Sequence, residues 1–160
     1  MWYVHSQRGV SSKRLRGLAL VSGVSRAKRR RSLNPHPSDL RRLPVFAALP
    51  DQDLEQISTW FEVRSVEAGR RVISEGASGY SFFVIQEGTA DVSQEGQVIR
   101  TLGPGDFFGE MALLDSGRRT ADVVATSPMK LATMFGGDFR QLQARFPEVA
   151  DRIEAAAAKR

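Results

Sequence analysis

Apolar and polar residues alternate along the middle of the chain, in short segments that are separated by glycine. This alternation is typical of half-buried β-strands, and turn-forming sequences such as Gly103-Pro104-Gly105-Asp106 lie between the segments. Many short strands at regular spacing predict a β-sandwich or a jelly roll. The predicted strands are Glu62 to Val66, Arg71 to Ser74, Tyr80 to Gln86, Thr89 to Gln94, Gln97 to Leu102, Thr120 to Ala125 and Lys130 to Phe135.

Helical periods flank the strand region on both sides. Before it, a short helical piece is predicted from Asp39, and a longer amphipathic helix begins with Asp51 as its N-cap. After it, one helix is predicted over Asp138 to Arg145, and a second starts at Pro147. A helical turn over Phe108 to Leu114 interrupts the strands. The apolar residues expected to face inward from the flanking helices are Leu54, Ile57, Trp60, Phe61, Phe139 and Leu142.

Charge divides the chain near residue 43. Residues 1–43 hold 11 Lys and Arg against one acid, whereas residues 44–160 hold 12 against 17 acids. The net charge of +5 therefore comes from the N-terminal segment, which is not the pattern of a uniformly basic nucleic-acid-binding fold. Residues 1–38 contain no acid and several glycines and prolines, so they are predicted to form a disordered basic arm, with one domain over residues 39–160. A transit peptide and a start codon assigned too far upstream stay open as alternatives for this arm.

Composition excludes several classes of protein. Without cysteine there is no disulfide scaffold, thiolate metal site or cysteine nucleophile. The longest uncharged apolar run, Gly17 to Val24, is far shorter than the roughly 20 residues that cross a bilayer, so a soluble, cytoplasmic protein is expected. A metal-dependent jelly-roll enzyme needs clustered histidines and carboxylates, but His5 and His36 lie in or beside the arm. We therefore expect no metal and no enzymatic activity.

The segment with the clearest chemistry runs from residue 107 to residue 121. Gly109 precedes the predicted helical turn, Glu110 follows directly, and Arg119 comes where the next strand begins. The N–H groups at a helix start and an arginine fork both suit a phosphate. A carboxylate repels phosphate, but it accepts hydrogen bonds from a sugar hydroxyl. The combination predicts a site for a sugar phosphate.

The run from Leu102 to Ala125 closely resembles the phosphate-binding cassette of the cyclic nucleotide-binding domain family. The resemblance rests on Gly-Glu at 109–110, Ala-Leu-Leu at 112–114 and Arg-Thr-Ala at 119–121. It extends over about residues 40 to 155, where the flanking helices and several glycines also match: Gly76, Gly79, Gly88, Gly103 and Gly105. It implies a mainly β fold, a double-stranded β-helix (jelly-roll) barrel with α-helices at both ends and a short helix in the cassette.

The resemblance also implies a role for individual residues. Glu110 would bind the ribose 2′-hydroxyl, assisted by the backbone of Gly109, and Arg119 would pair with the exocyclic oxygens of the cyclic phosphate. The backbone N–H of Ala112, with the backbone or hydroxyl of Thr120, would complete the phosphate cradle. Apolar side chains lining the purine pocket would be Val72, Met111 and Val123.

The implied function is a regulatory or sensor module in signal transduction, in which cyclic nucleotide binding moves the C-terminal helices. The expected ligand is cAMP, with cGMP as the alternative because Thr120 also suits a guanine. No aromatic residue follows Phe146, so the cap over the base is expected to be weak or to come from a partner chain, as in a homodimer. The effector protein is unidentified. The competing interpretation is a degenerate member that acts as an adaptor through its basic arm, which would contact proteins, nucleic acid or an acidic membrane weakly.

Overall fold

The computed structural model describes residues 34–115 and 117–159. This part contains five helices and eight strands. In chain order they are α1 (Pro37–Arg41), α2 (Asp51–Ser58), β1 (Phe61–Val66), β2 (Arg71–Ile73), β3 (Ser81–Glu87), β4 (Ala90–Gln94), β5 (Gln97–Leu102), β6 (Phe107–Phe108), α3 (Glu110–Leu114), β7 (Asp122–Ala125), β8 (Met129–Phe135), α4 (Gly136–Arg145) and α5 (Pro147–Ala158).

The strands form two antiparallel four-stranded sheets. Their orders are β1-β8-β3-β6 and β2-β7-β4-β5, so each sheet ends in two edge strands. The predicted closure into a barrel is wrong, because within the described ranges no ladder of hydrogen bonds joins the edges of one sheet to those of the other. The coarser prediction of a mainly β fold with helices at both ends is confirmed, and the jelly-roll connectivity stays a prediction.

Apolar side chains fill two cores, one on each face of the first sheet. The helices cover its outer face, where the Phe82 ring lies 5.5–6.2 Å from the rings of Phe61, Phe107 and Phe139. The second core lies between the two sheets and includes Ile85 and Leu131 of the first sheet with residues of the second, Ile73, Ala90, Leu102, Val123 and Ala125. Because both faces of the first sheet are buried, the sequence of its strand β8 is an almost continuous apolar run.

Helix boundaries differ from the predictions at three places. Pro50 occupies the N-cap position of α2 in an extended conformation, so the prediction that Asp51 caps this helix is wrong. Asp51 is instead the first helical residue, where its negative charge suits the helix dipole and pairs with Arg41. The helix ends at Ser58, and Phe61 is already the first residue of β1. Helix α4 begins at Gly136, two residues before the predicted start.

Within the cassette, the segment before its short helix is a strand rather than the start of that helix. Phe108 pairs with Phe83 in the ladder between β6 and β3, and their rings stack with centroids 5.0 Å apart. The prediction of helix from Phe108 onward is therefore wrong at its first residue. Gly109 separates strand from helix with a φ of 87°, a left-handed conformation that side chains other than hydrogen disfavour. Helix α3 then runs from Glu110 to Leu114 as predicted.

Most of the predicted basic arm, residues 1–33, lies outside the described residues. Its remaining residues include the start of α1 at Pro37, and the division of the chain at residue 38 stays a prediction. Of the helices in the described part, none is both long and apolar enough to span a membrane.

Candidate functional site

A cavity of about 450 Å³ lies between the second sheet and α3. This volume is within the range of small-molecule sites, about 300 to 1,000 Å³. Seven of the eight predicted site residues line it: Gly109, Glu110, Met111, Ala112, Arg119, Thr120 and Val123. Val72 is not among the lining residues. Its half-buried side chain packs against the core between the sheets, and the next residue of β2, Ile73, lines the cavity instead.

The Arg119 side chain lines the site and is only 9% exposed. Its Nη1 donates hydrogen bonds to the carbonyl oxygens of Gly109 at 2.8 Å and Ser81 at 3.0 Å. Its Nη2 donates to the same Ser81 oxygen at 3.0 Å, and the guanidinium lies over the ring of Phe83. Charged donors make strong hydrogen bonds to carbonyls, so the start of β3 and the turn before α3 hold this group in place. Arginine carries five N–H donors, so these bonds leave donors for a ligand.

Two buried side chains of opposite charge, Glu110 and Arg119, line the site. Burial lowers the pKa of Arg119 below its ordinary value, and the carboxylate of Glu110 opposes that shift. Glu110 is the first residue of α3 and is only 3% exposed. The guanidinium suits an anionic group and the carboxylate suits a hydroxyl donor, so their presence on one cavity suits a polar, anionic ligand.

Gly109 permits the close approach of the groups around it. A Cβ atom there would lie 2.7 Å from both Arg119 Nη1 and the carbonyl oxygen of Ser81, closer than such atoms come in proteins. Together with its left-handed φ, this close packing requires glycine at the position. The glycine of the Gly-Glu pair is therefore explained by the close packing around it, in addition to the chemistry expected at the site.

The wall of the cavity away from the charges is mainly apolar, and most of it was not predicted. The residues missed by sequence reasoning are Ile73, Val92, Gln94, Ile99, Arg100, Leu102, Phe108, Ala121 and Ala157. The register between β4 and β5 shifts between the pair Val92 with Arg100 and the pair Ser93 with Val98, which leaves Ile99 as an extra residue. Such a bulge turns a side chain toward a new direction. Alternation along β5 indicates a strand but not this bulge.

The last helix also reaches the cavity. Ala157 lines it, and α5 contacts α3 of the cassette. The side chains of Leu113, Leu114 and Ala156 pack against the core under the helices. The C-terminal helix thus presents a methyl group to the site, at the end of the chain where the sequence contains no aromatic residue.

Metal ligands are not grouped in this part of the molecule. Among the described residues, no set of three His, Asp or Glu side chains is placed to hold a metal ion. His36 accepts a hydrogen bond from the backbone N–H of Ser38 at the start of α1, and His5 lies outside the described residues.

Comparisons with known proteins identify the family of this chain. A family model described as "Cyclic nucleotide-binding domain" matches residues 63–146. The cAMP-dependent protein kinase regulatory subunit of Eremothecium gossypii is 40% identical over 111 residues, which make up 69% of this chain and 24% of that protein. The cGMP-dependent protein kinase, isozyme 1, of Drosophila melanogaster is 35% identical over 111 residues, 64% of this chain and 14% of that protein. The chain thus spans a quarter or less of either kinase protein.

Among solved structures, the Catabolite Activator Protein of Thermus thermophilus is similar with a TM-score of 0.67 and 30% sequence identity. The match covers 72% of this chain and 57% of that chain. Sequence and structure comparisons therefore point to the same family.

Proposed function

Because this chain belongs to the cyclic nucleotide-binding domain family, we propose that the cavity beside α3 binds a cyclic nucleotide and that the domain is a non-catalytic regulatory module. One observation carries the proposal. Within the described part of the chain, the buried charged side chains are Glu110 and Arg119, and both line this cavity. Charged side chains are seldom buried, and these two offer a ligand both a cationic donor for an anionic group and an acceptor for a hydroxyl group.

The two ends of the cavity suit the two ends of a cyclic nucleotide. Arg119 would donate to the exocyclic oxygens of the cyclic phosphate, with the backbone of Ala112 and Thr120 completing the cradle. Glu110 would accept a hydrogen bond from the ribose 2′-hydroxyl. The purine would lie against the apolar wall of the second sheet, which includes Val123 and, at the cassette, Met111.

We propose cAMP as the ligand, and the regulatory subunit from Eremothecium gossypii supports this choice. One residue of the site favours cGMP instead. Arg100 lines the cavity, and an arginine donates readily to O6 and N7 of guanine. Gln94, which would suit adenine, already donates through Nε2 to the carbonyl oxygen of Thr120 at 2.9 Å. The base preference is therefore decided by comparing the two dissociation constants.

Isothermal titration calorimetry of the full chain with cAMP and with cGMP tests the proposal. We expect saturable binding at one site per chain, and an increase in melting temperature that grows with ligand concentration because the ligand binds the folded state. 5′-AMP, which carries the same base and sugar without the cyclic phosphate, is the control ligand. Absence of both heat and melting shift at millimolar concentrations of both cyclic nucleotides would contradict the proposal and favour a family member that has lost its ligand.

The contacts of α5 support coupling between the site and the C-terminal helices. Ala157 lines the cavity, and α5 contacts α3 of the cassette. A ligand moves such an element only if it binds one arrangement better than the other. We propose that the bound nucleotide favours the arrangement in which α3 and α5 are packed together.

Hydrogen–deuterium exchange measures this coupling. With cAMP at 100 times its dissociation constant, backbone amides of α3 and α5 should exchange more slowly, by up to about 100-fold where exchange requires opening of the bound state. Helix α2, which lies before the strands in the chain, is the comparison element and should change less than α5. Slower exchange in α3 with unchanged exchange in α5 would show binding without coupling.

A further inference from the structure

Gly79 lies against the Arg119 side chain more closely than any other residue type could. A Cβ atom at Gly79 would be 2.0 Å from Arg119 Nε and 2.5 Å from both its Cζ and Nη2. These three atoms are the nearest neighbours of that position. The arginine thus passes directly over the backbone of Gly79, and the absent side chain is what leaves room for it.

Backbone conformation does not explain this glycine. The φ angle of Gly79 is outside the left-handed region, whereas Gly76 in the same loop has a φ of 75° and an open surrounding. Alanine at 79 would therefore be acceptable to the backbone, and its cost would come from the collision with Arg119. Glycine is therefore needed at these two positions of the loop for different reasons. Gly76 is explained by the turn geometry, and Gly79 by the lack of space for a side chain.

The glycine loop, residues 76–79, has little freedom to move away from the arginine. Three backbone hydrogen bonds of 2.8, 2.9 and 3.1 Å join it to residues 117–119, the segment before β7. Two of them involve the backbone of Arg119 itself, and the third is donated by the N–H of Gly79. A methyl group at Gly79 must either break these bonds or push the guanidinium off its acceptors.

We propose that Gly79 is a positioning residue for ligand binding, because its missing side chain lets the Arg119 guanidinium reach the carbonyl oxygens of Ser81 and Gly109. The inference rests on the proposed function in one respect, since the affinity for a cyclic nucleotide is its readout. The hydrogen bonds at 2.8–3.0 Å hold the fork in one orientation. A bidentate donor loses phosphate affinity when its orientation changes, even though its charge remains.

The test is a double-mutant cycle on the full chain, with Gly79→Ala, Arg119→Ala and the double variant titrated with cAMP and cGMP. We expect Gly79→Ala to raise the Kd of wild type by about tenfold or more, and to have no effect beyond about twofold in the Arg119→Ala background. Gly103→Ala is the matched control, because a Cβ atom there meets nothing within 4 Å and its φ is also outside the left-handed region. It should bind within about twofold of wild type.

Thermal melting without ligand keeps the test decisive if Gly79→Ala folds poorly. The double variant should then melt above Gly79→Ala alone, because removal of the guanidinium makes room for the methyl group. If wild type binds but Gly79→Ala equals Gly103→Ala, or if its loss persists in the Arg119→Ala background, the positioning role is overturned. If wild type itself binds neither cyclic nucleotide, the proposed function fails, and the melting comparison alone then decides whether the two residues are coupled.

Discussion

Arg119→Ala should weaken binding of the preferred cyclic nucleotide by about 2 kcal/mol or more, which corresponds to about 30-fold in Kd. The side chain is 9% exposed and is held between the start of β3 and the turn before α3. A phosphate bound beside it would lose its charge-assisted donors and would be left in a site with the carboxylate of Glu110. Isothermal titration calorimetry of the variant gives the change in Kd directly.

The neighbouring residue supplies the control for this prediction. Arg118 is exposed, and its Nη1 lies 3.5 Å from the carbonyl oxygen of Gly76, so Arg118→Ala changes the same net charge without touching the cavity. It should leave Kd within about twofold. Arg119→Lys keeps the charge but not the planar fork, and we expect an intermediate affinity. Equal losses for Arg118→Ala and Arg119→Ala would show that only overall charge matters, which contradicts a specific phosphate contact.

Glu110→Ala should lower affinity by about 10- to 100-fold, because a hydrogen bond to a charged group contributes about 1.5–3 kcal/mol when its partner is buried. The carboxylate is 3% exposed and belongs to the first residue of α3. The loss should be specific for the ribose hydroxyl. Titration with cAMP and with 2′-deoxy-cAMP separates this contact from a general weakening of the site.

Wild type and Glu110→Ala, each titrated with cAMP and with 2′-deoxy-cAMP, form a thermodynamic cycle. Wild type should bind 2′-deoxy-cAMP about as weakly as Glu110→Ala binds cAMP, and the variant should no longer distinguish the two ligands. Glu110→Gln preserves the shape and one acceptor, so it should retain part of the discrimination. A variant that loses affinity for both ligands by the same factor would place Glu110 in a structural role and remove it from the ribose contact.

Sequence patterns located the elements well where the signal is local. The predicted strand over Gln97 to Leu102 has the observed bounds of β5, and the helix predicted to begin at Pro147 is α5. Alternation and proline placement depend on a residue and its near neighbours, which explains this success. The two-residue strand β6 was missed because its ladder partner is β3, more than twenty positions earlier in the chain. Pairing at that separation leaves no mark in a short window.

The residues of the site show the same difference between local and long-range signals. The cassette sequence predicted seven residues that line the cavity, because the turn, the short helix and the arginine are close in the chain. Val72 was predicted in place of Ile73, which lines the cavity, because alternation does not say which face of β2 lies on the cavity. Arg100 and Ala157 were missed for a related reason, since each comes to the cavity through packing of a distant element.

The amino-acid sequence alone determined the types of chemical group at this site, a carboxylate and a guanidinium beside a glycine turn, and their family resemblance. The tertiary structure alone decided how these groups are held. Ser81 and Gly79 come to Arg119 from about 40 positions earlier in the chain, through the hydrogen bonds between the glycine loop and the segment before β7. Contacts of that range depend on sheet register and on the space left by an absent side chain, and neither quantity is encoded within one local stretch of sequence.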